Sequence, residues 1–512
     1  MAPDHASDKD LGHNEIETSP PGHAQELDLS TSDFSDKDKA RIQWRIDMRL
    51  VVPLGLGYTI CLIDRGNTGL LAVSGLITDL NLIGYRYQTI ILMFFPTYIL
   101  IQPVATALAR KVGPRALLPI IIIAWGLSTL GMGFVKYWWQ MLPLRALLGL
   151  FEGGYFPTCT YLLSCWYPRY ELQKRNSGFY FMGMIASAFG GILAYGLSQL
   201  KGHGSGAKYL GQHYGPTATD PTAPSGILPG ISGWRWILII EGVITCVIGV
   251  ILFVFVVDFP DRCKTDMAIP FLKPHEVDYV CARLNQDRDD VKPTKFSLKT
   301  YLANTADPLV WAYCLTFLCT SLIQYALSYF LPIILQDSLG FGVAASQLMS
   351  APPYVFAAIL MFVQAWWGDK HQVRSPIIVV NALFAVLGLC MLAYTKPVAS
   401  RYIGAMILTA CACGNTPPMI TWQANNIRGQ WKRALCSASL LWGAGLGGVT
   451  GTLVFRTQDK PTYRPGIATC LVAAGIQIVL PLFMVLYFRS ANKQALEGRK
   501  TIEGLPGFLY TL

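Results

Sequence analysis

Five ionisable residues stand inside stretches that are otherwise apolar: Asp64, Arg65, Arg145, Glu152 and Glu241. At the centre of a helix in hydrocarbon each would cost roughly 2.5–3.5 kcal/mol, so each asks for a cavity, a partner or a task. Arg145 and Glu152 are seven residues apart, which on an α-helix means one face and about 10 Å of axial separation, so they can line one wall of a cavity. Asp64 and Arg65 are adjacent and point about 100° apart, so one can face the cavity while the other packs between helices. Two arginines beside two acids suit an organic anion that travels with a proton. A guanidinium stays charged and offers a planar fork that matches a carboxylate, which makes Arg65 and Arg145 the expected substrate-binding groups. A buried carboxyl changes its proton affinity with desolvation and neighbouring charge, which makes Asp64 and Glu152 the expected proton-coupling groups. The competing reading is that these charges pair and pin helices together. Glu241 joins the proton-coupling set, with a structural role equally open.

Other polar groups in apolar surroundings are Gln324, Tyr325, Asn415, Asn425 and Asn426. Pro417 and Pro418 remove backbone donors and can break the helix where Asn415 stands, so Asn415 could face the cavity at the break. It joins Gln324 and Tyr325 as a substrate-binding candidate, with hydrogen bonding between helices as the alternative. Phe94, Phe95, Tyr98 and Tyr155 could stack on a planar substrate, although aromatic contact with lipid or neighbouring helices is commoner. The Gly443 to Gly451 run suits close helix packing. No metal site, cofactor or catalytic residue is expected. All seven histidines lie outside the apolar runs, no Cys-x-x-Cys pair occurs, and most of the thirteen cysteines sit in apolar runs as small hydrophobes. No G-x-x-x-x-G-K-[ST] is present, which disfavours ATP-driven pumping by this chain. Without a recognisable nucleophile and base pair, a membrane enzyme is disfavoured too.

The elements that must position these residues follow from composition. Of 512 residues, 52% are hydrophobic and only 14% charged, too few for a soluble enzyme, where about 25% is usual. Continuous apolar runs of about 20 residues exclude a β-barrel and predict helices that cross a bilayer. Twelve spans are expected, in windows 48–72, 88–108, 116–135, 140–166, 177–198, 234–257, 306–335, 347–368, 375–394, 401–424, 434–455 and 466–488. The fold class is an all-α membrane protein of twelve transmembrane helices in two parallel six-helix halves. The corresponding domains are a cytoplasmic disordered tail (1–47), an N-terminal half (48–257), a cytoplasmic linker (258–305), a C-terminal half (306–488) and a cytoplasmic tail (489–512). Within the linker, Pro274, Val277, Val280, Cys281 and Leu284 have helical spacing. Most of the 41 Lys and Arg, including the short loops RKVGPR, PRYELQKR, DKHQVR and RGQWKR, fall on the side of the two termini, which places both termini in the cytoplasm. The net charge of +10 is thereby topology, with no nucleic-acid partner required. Oligomeric state is unreadable from the chain.

Arg145 and Trp166 recur as Arg401 and Trp422 at an offset of 256 residues, and Gly190-Gly191 recurs as Gly447-Gly448 at 257. Such repeats are the mark of transporters whose two bundles rock around a midplane site. The strings LIDRGN (62–67), RALLGLFEGGYFP (145–157), WYPR (166–169), GWRW (233–236) with Glu241-Gly242, and YRPG (463–466) resemble the major facilitator superfamily. More narrowly they resemble its anion:cation symporter group, in the fungal allantoate/nicotinate/pantothenate permease branch, from about residue 45 to 490. The resemblance implies the major facilitator fold, alternating access and proton-coupled uptake of small organic anions. It also implies that the Asp64-Arg65 pair and the Arg145/Glu152 pair serve substrate and proton. One departure is TALARKVGPR (106–115), which has Arg110 where the superfamily's G-x-x-x-D-[RK]-x-G-R-[RK] loop carries Asp; Asp369-Lys370 keeps that feature in the other half. The expectation is a plasma-membrane symporter whose partners are a small organic anion, a proton and the lipid bilayer. The alternatives are an exporter of a secondary metabolite on the same fold, or a non-transporting nutrient sensor.

Overall fold

The computed structural model describes residues 35–511 apart from 168, 205–207, 215–225, 261–270, 289–303, 372, 428–429, 456–458, 460–462, 500 and 503–507. Apolar runs become helices because, in hydrocarbon, each backbone N–H and C=O must be bonded within its own segment. Span 1 is Asp36–Leu71, carried through a π-helical turn (Ala72–Leu76) to Asp79. Span 2 is Arg86–Leu92 with Phe94–Val112, span 3 Pro114–Met132, span 4 Trp138–Trp166, span 5 Arg169–Ser198 and span 6 Gly233–Phe255. Span 7 is Pro308–Asp337, span 8 Val343–Leu348 with Ala351–His371, and span 9 Ser375–Tyr394. Span 10 is Val398–Gly414 with Thr416–Asn426, span 11 Gln430–Val454 and span 12 Arg464–Leu496. Among the described residues, nine helices meet the length and hydropathy needed to cross a membrane.

The two halves repeat one set of pairings. Span 1 packs on spans 5 and 6, span 2 on span 4, and span 3 on spans 4 and 6. Likewise, span 7 packs on spans 11 and 12, span 8 on span 10, and span 9 on spans 10 and 12. Small residues permit the closest approaches. Gly443, Gly447 and Gly451 lie along span 7, where an added Cβ would stand 2.8, 2.6 and 2.7 Å from the carbonyls of Cys314, Leu318 and Leu322. Between the halves, spans 1 and 7, 5 and 8, and 2 and 11 meet. A Cβ on Gly69 would lie 2.6 Å from the Tyr329 carbonyl, so span 1 reaches span 7 only with glycine there. Polar contacts join the halves at the end remote from the termini: Gln347 Nε2 donates to Ser74 Oγ (2.6 Å), and the Tyr87 hydroxyl stands between the carbonyls of Thr68 in its own half (3.3 Å) and Tyr329 in the other (3.4 Å).

Two expected boundaries are corrected. Span 1 begins at Asp36 rather than 48, so the expected disordered tail is helical from 36 to 47; its residues 1–34 lie outside the described residues. Ile42, Ile46 and Leu50 form a buried ridge at helical spacing, and Arg45 donates to Glu276 (2.5 Å) and to the Phe271 carbonyl (3.0 Å). That partner belongs to the linker helix Pro274–Arg288, whose Val277, Val280 and Leu284 are buried as their spacing requires. Burial pushes the Glu276 carboxyl upward, but the Lys273 backbone N–H and Arg45 outweigh it and hold it below its ordinary range. Span 12 continues past 488 to Leu496. Tyr510 then stacks on Phe488 with ring centroids 4.3 Å apart, and Asn492 bonds the Tyr510 backbone in both directions at 2.8 Å.

Candidate functional site

Span 1 carries two polar faces, because residues three and four apart share a side of a helix. Cys61, Arg65 and Thr68 lie on one, Asp64 and Asn67 on the next. On the first face Arg65 Nε pairs with Glu152 Oε1 of span 4. Its Nη1 donates to Tyr325 Oη of span 7 and its Nη2 to Tyr98 Oη of span 2, each at 3.0 Å. The guanidinium also sits 4.9 Å from the Tyr98 ring centroid and 5.9 Å from that of Phe94, within cation–π range. Cys61 Sγ donates to the same Glu152 Oε1 at 3.0 Å, while Glu152 Oε2, though buried, has no hydrogen-bond partner.

Arg145 lies two helical turns from Glu152 on span 4 and is 4% exposed. Its Nη2 donates to Thr68 Oγ1 (3.1 Å), its Nε has no partner, and among the described residues it forms no ion pair. A buried guanidinium without a carboxylate is expensive unless something anionic completes it. On the second face of span 1, Asp64 Oδ2 accepts from Trp125 Nε1 of span 3 (2.9 Å), and Asn67 Nδ2 donates to Glu241 Oε2 of span 6. Asp64 Oδ1 and Glu241 Oε1 are buried and unpartnered.

The structure therefore gathers Asp64, Arg65, Arg145, Glu152 and Glu241 around the middle of span 1, and Tyr325 joins them from the other half. Gln324, beside Tyr325, accepts from Thr416 Oγ1 of span 10 at 3.4 Å. Asn415 corrects its expected placement. The helix does break there, between Gly414 and Thr416, but Asn415 is 2% exposed and its amide accepts from Asn381 and donates to Gln477, both at 2.9 Å. It ties spans 9, 10 and 12 together instead of facing the charged cluster. Of the aromatic candidates, Phe94, Phe95 and Tyr98 surround Arg65 and Tyr325, whereas Tyr155 bonds the Leu54 carbonyl (2.8 Å) away from them. Asn67, Thr68 and Trp125 were not among the residues the sequence singled out. Asn67 and Thr68 nevertheless stand three residues beyond Asp64 and Arg65, which was the available signal.

A pocket opens beside the cluster between spans 1, 5, 7 and 8, with Gly66, Asn67, Ser187, Ser328, Ser350 and Tyr354 among its lining. Among the described residues no group of three His, Cys, Asp or Glu could hold a metal ion. Three carboxyl groups and two guanidiniums enclosed together can exchange partners with an incoming anion and take up protons to balance it.

The family description that matches the chain is Major Facilitator Superfamily, over residues 54–452. Among curated proteins, the chain is 28% identical over 469 residues to the high-affinity nicotinic acid transporter of Saccharomyces cerevisiae, covering 91% of this chain and 81% of that one. It is 27% identical over 485 residues to an uncharacterized transporter of Schizosaccharomyces pombe, covering 93% and 94%. Among solved structures, the inward open xylose transporter XylE of E. coli aligns with a TM-score of 0.61 at 14% identity, covering 86% and 95% of the two chains. A bacterial homologue of the human lysosomal transporter Spinster, in an inward-facing and occupied conformation, aligns at 0.59 with 14% identity, covering 88% and 98%.

Proposed function

The chain belongs to the major facilitator superfamily, a multi-pass membrane transporter by family and fold, and on that premise we propose that it is a proton-coupled symporter taking up a small organic anion by alternating access. The observation that carries this reading is the unequal state of the two arginines: Arg65 is held by Glu152, while the buried Arg145 has no carboxylate partner among the described residues. A proton arriving at Glu152 neutralises the carboxylate that grips Arg65 Nε, and the ion pair weakens to a neutral hydrogen bond. The guanidinium edge is then available to a substrate carboxylate, with Arg145 as the second fork. Anion and proton enter together, so the enclosed charge does not change. When the anion leaves, Glu152 gives up its proton and the Arg65–Glu152 pair reforms, which resets the empty carrier. Tyr325 bonds Arg65 from span 7, so the state of the arginine is felt across the interface between the halves.

The aromatic wall of Phe94, Tyr98 and Tyr325 favours a planar carboxylate, and the likeness to a nicotinic acid transporter makes nicotinate the first probe. The Lys- and Arg-rich short loops support placing both termini in the cytoplasm, with the plasma membrane as the site of uptake. The Gln347–Ser74 and Tyr87–Tyr329 contacts then belong to an outer seal, and the conformation described is one closed to the outside.

The test is uptake of labelled nicotinate into proteoliposomes with and without an inward proton gradient. Accumulation that follows the gradient supports symport. Uptake indifferent to the gradient, or unchanged by Arg145→Ala or Glu152→Gln, overturns the coupling scheme.

A further inference from the structure

Glu241 and Asp64 are buried acids that the exchange at Arg65 leaves unused. Glu241 is 4% exposed, eight residues into span 6, and its Oε1 has no hydrogen-bond partner. Its Oε2 accepts from Asn67, which is 1% exposed and whose own Oδ1 is unpartnered. Asp64, one turn away on the same face of span 1, has the same character, with Oδ2 held by Trp125 and Oδ1 free. Trp125 and Glu241 stand on adjoining turns of a tight crossing. Their neighbours Gly126 and Gly242 pack so closely that a Cβ on Gly126 would lie 3.1 Å from the Gly242 carbonyl, and one on Gly242 would lie 2.6 Å from Leu130 N. Asp64 and Glu241 are thereby brought to one enclosed spot with three oxygens lacking donors. Buried acceptors call for donors, and a proton on either carboxyl supplies one.

The charged groups are few. Glu152 and Arg145 of span 4 bear on Asp64, and Asp64 bears on Glu241. Span 3 carries a single charge, Arg115 at its far end, and span 5 has none between Gly178 and Ser198. On span 6 itself, Arg235 is turned to the Gly133 and Val135 carbonyls at 3.0 and 2.7 Å. With all five groups ionised the buried set would hold three negative charges against two positive. One proton is therefore needed for neutrality even before an anion enters.

We propose that Glu241 and Asp64 share a transported proton across the Asn67 face of span 1, on a route separate from the anion contacts of Arg65 and Arg145. The proposal rests on the proton-coupled reading above. Asn67 also lines the pocket between spans 1, 5, 7 and 8, which gives this route an opening of its own. Its side chain serves both protonation states: the NH2 group donates to a carboxylate, and after an amide turn the carbonyl accepts from a carboxylic acid. Transfer from Glu241 to Asp64 leaves a carboxylate on span 6 and a neutral acid on span 1; Asp64 then releases that proton on the side of delivery, and a second proton entering from the pocket restores Glu241.

The full-length protein reconstituted in lipid is titrated by infrared difference spectroscopy, reading the C=O stretch of protonated carboxyl groups. The expected result is that Glu241→Gln removes one protonated-carboxyl band and moves the titration of the remaining one by about one pH unit or more, as coupled groups require. Asp64→Asn moves the Glu241 band in return, Asn67→Leu moves both, and Glu241→Asp, which keeps the acid, retains two titrating bands. Two independent titrations, or a wild-type spectrum without a protonated carboxyl that Glu241→Gln removes, would overturn the proposal. Gradient-driven uptake of labelled nicotinate by the wild type in the same vesicles separates the two ideas. Uptake blind to the gradient defeats the symport reading. Uptake that follows the gradient, with uncoupled bands, defeats only the shared proton.

Discussion

Trp166 and Trp422, 256 positions apart, each donate the indole N–H to a backbone carbonyl of the segment that follows the last helix of their half: Asp258 in one, Thr511 in the other, both at 3.0 Å. Arg145 and Arg401 share that offset and have diverged completely. Arg145 is buried in the charged cluster, whereas Arg401 turns to the Leu392 carbonyl (3.1 Å) and to the carbonyl and hydroxyl of Ser338 (2.6 and 2.5 Å) at the start of span 10. Inside the C-terminal half four neutral amides, Gln364, Asn381, Asn415 and Gln477, are bonded in a chain across spans 8, 9, 10 and 12. Both halves keep the frame of the repeat. One has invested its interior in ionisable groups and the other in amides that carry no charge through a pH change. On the proposed reading, substrate and proton chemistry lies in the N-terminal half, and the C-terminal half supplies a wall from which Tyr325 reaches Arg65.

That contrast can be broken most sharply at the paired arginines. Removing a partner from a buried charge contact costs about 2–5 kcal/mol, so Arg145→Ala should reduce uptake of labelled nicotinate by roughly 30-fold to several thousand-fold. Arg401→Ala should leave the apparent affinity near that of the wild type and lower thermal stability instead. Equal losses of transport in both variants would erase the distinction. At the next level, Asn381→Ala leaves buried amides unsatisfied, at about 1–3 kcal/mol. It should lower the melting temperature in detergent without moving the pH profile of uptake, whereas Glu152→Gln should abolish accumulation driven by the gradient and spare substrate exchange. The smallest effect lies outside the membrane. Glu276 has a depressed proton affinity in the folded chain, so its contribution to docking the linker helix is present above the usual carboxylate range and is lost as pH falls through it. Glu276→Gln should therefore raise amide hydrogen exchange in 274–288 at neutral pH, corrected for the chemical rate, and the difference from wild type should close as the medium is acidified.

The pattern of legibility follows the same physics. Apolar runs, proline and glycine act locally, so the helices, the break at Asn415 and the glycine contacts of span 11 were readable from the chain. The charged cluster was readable because a charge in an apolar run stands out. Span 1 begins earlier than expected in a segment where Ile42 and Ile46 are buried and Arg45 bonds Glu276, 231 residues away, whereas a local window sees mainly the charges around them. Asn415 was misplaced for a related reason: a helix break predicts that a side chain is freed, and says nothing about which neighbour it meets. Asn67, Thr68 and Trp125 are neutral residues whose importance exists only in their partners.

Proton movement itself gives the most direct test of the central claim that the charged half couples an anion to a proton. Proteoliposomes containing a pH-sensitive dye, with the membrane potential clamped, receive nicotinate outside at equal starting pH on both sides. Symport predicts acidification of the interior as labelled nicotinate enters, in fixed proportion to it, and its loss in Glu152→Gln. Nicotinate entry with no accompanying proton, or the same acidification in Glu152→Gln, would contradict it.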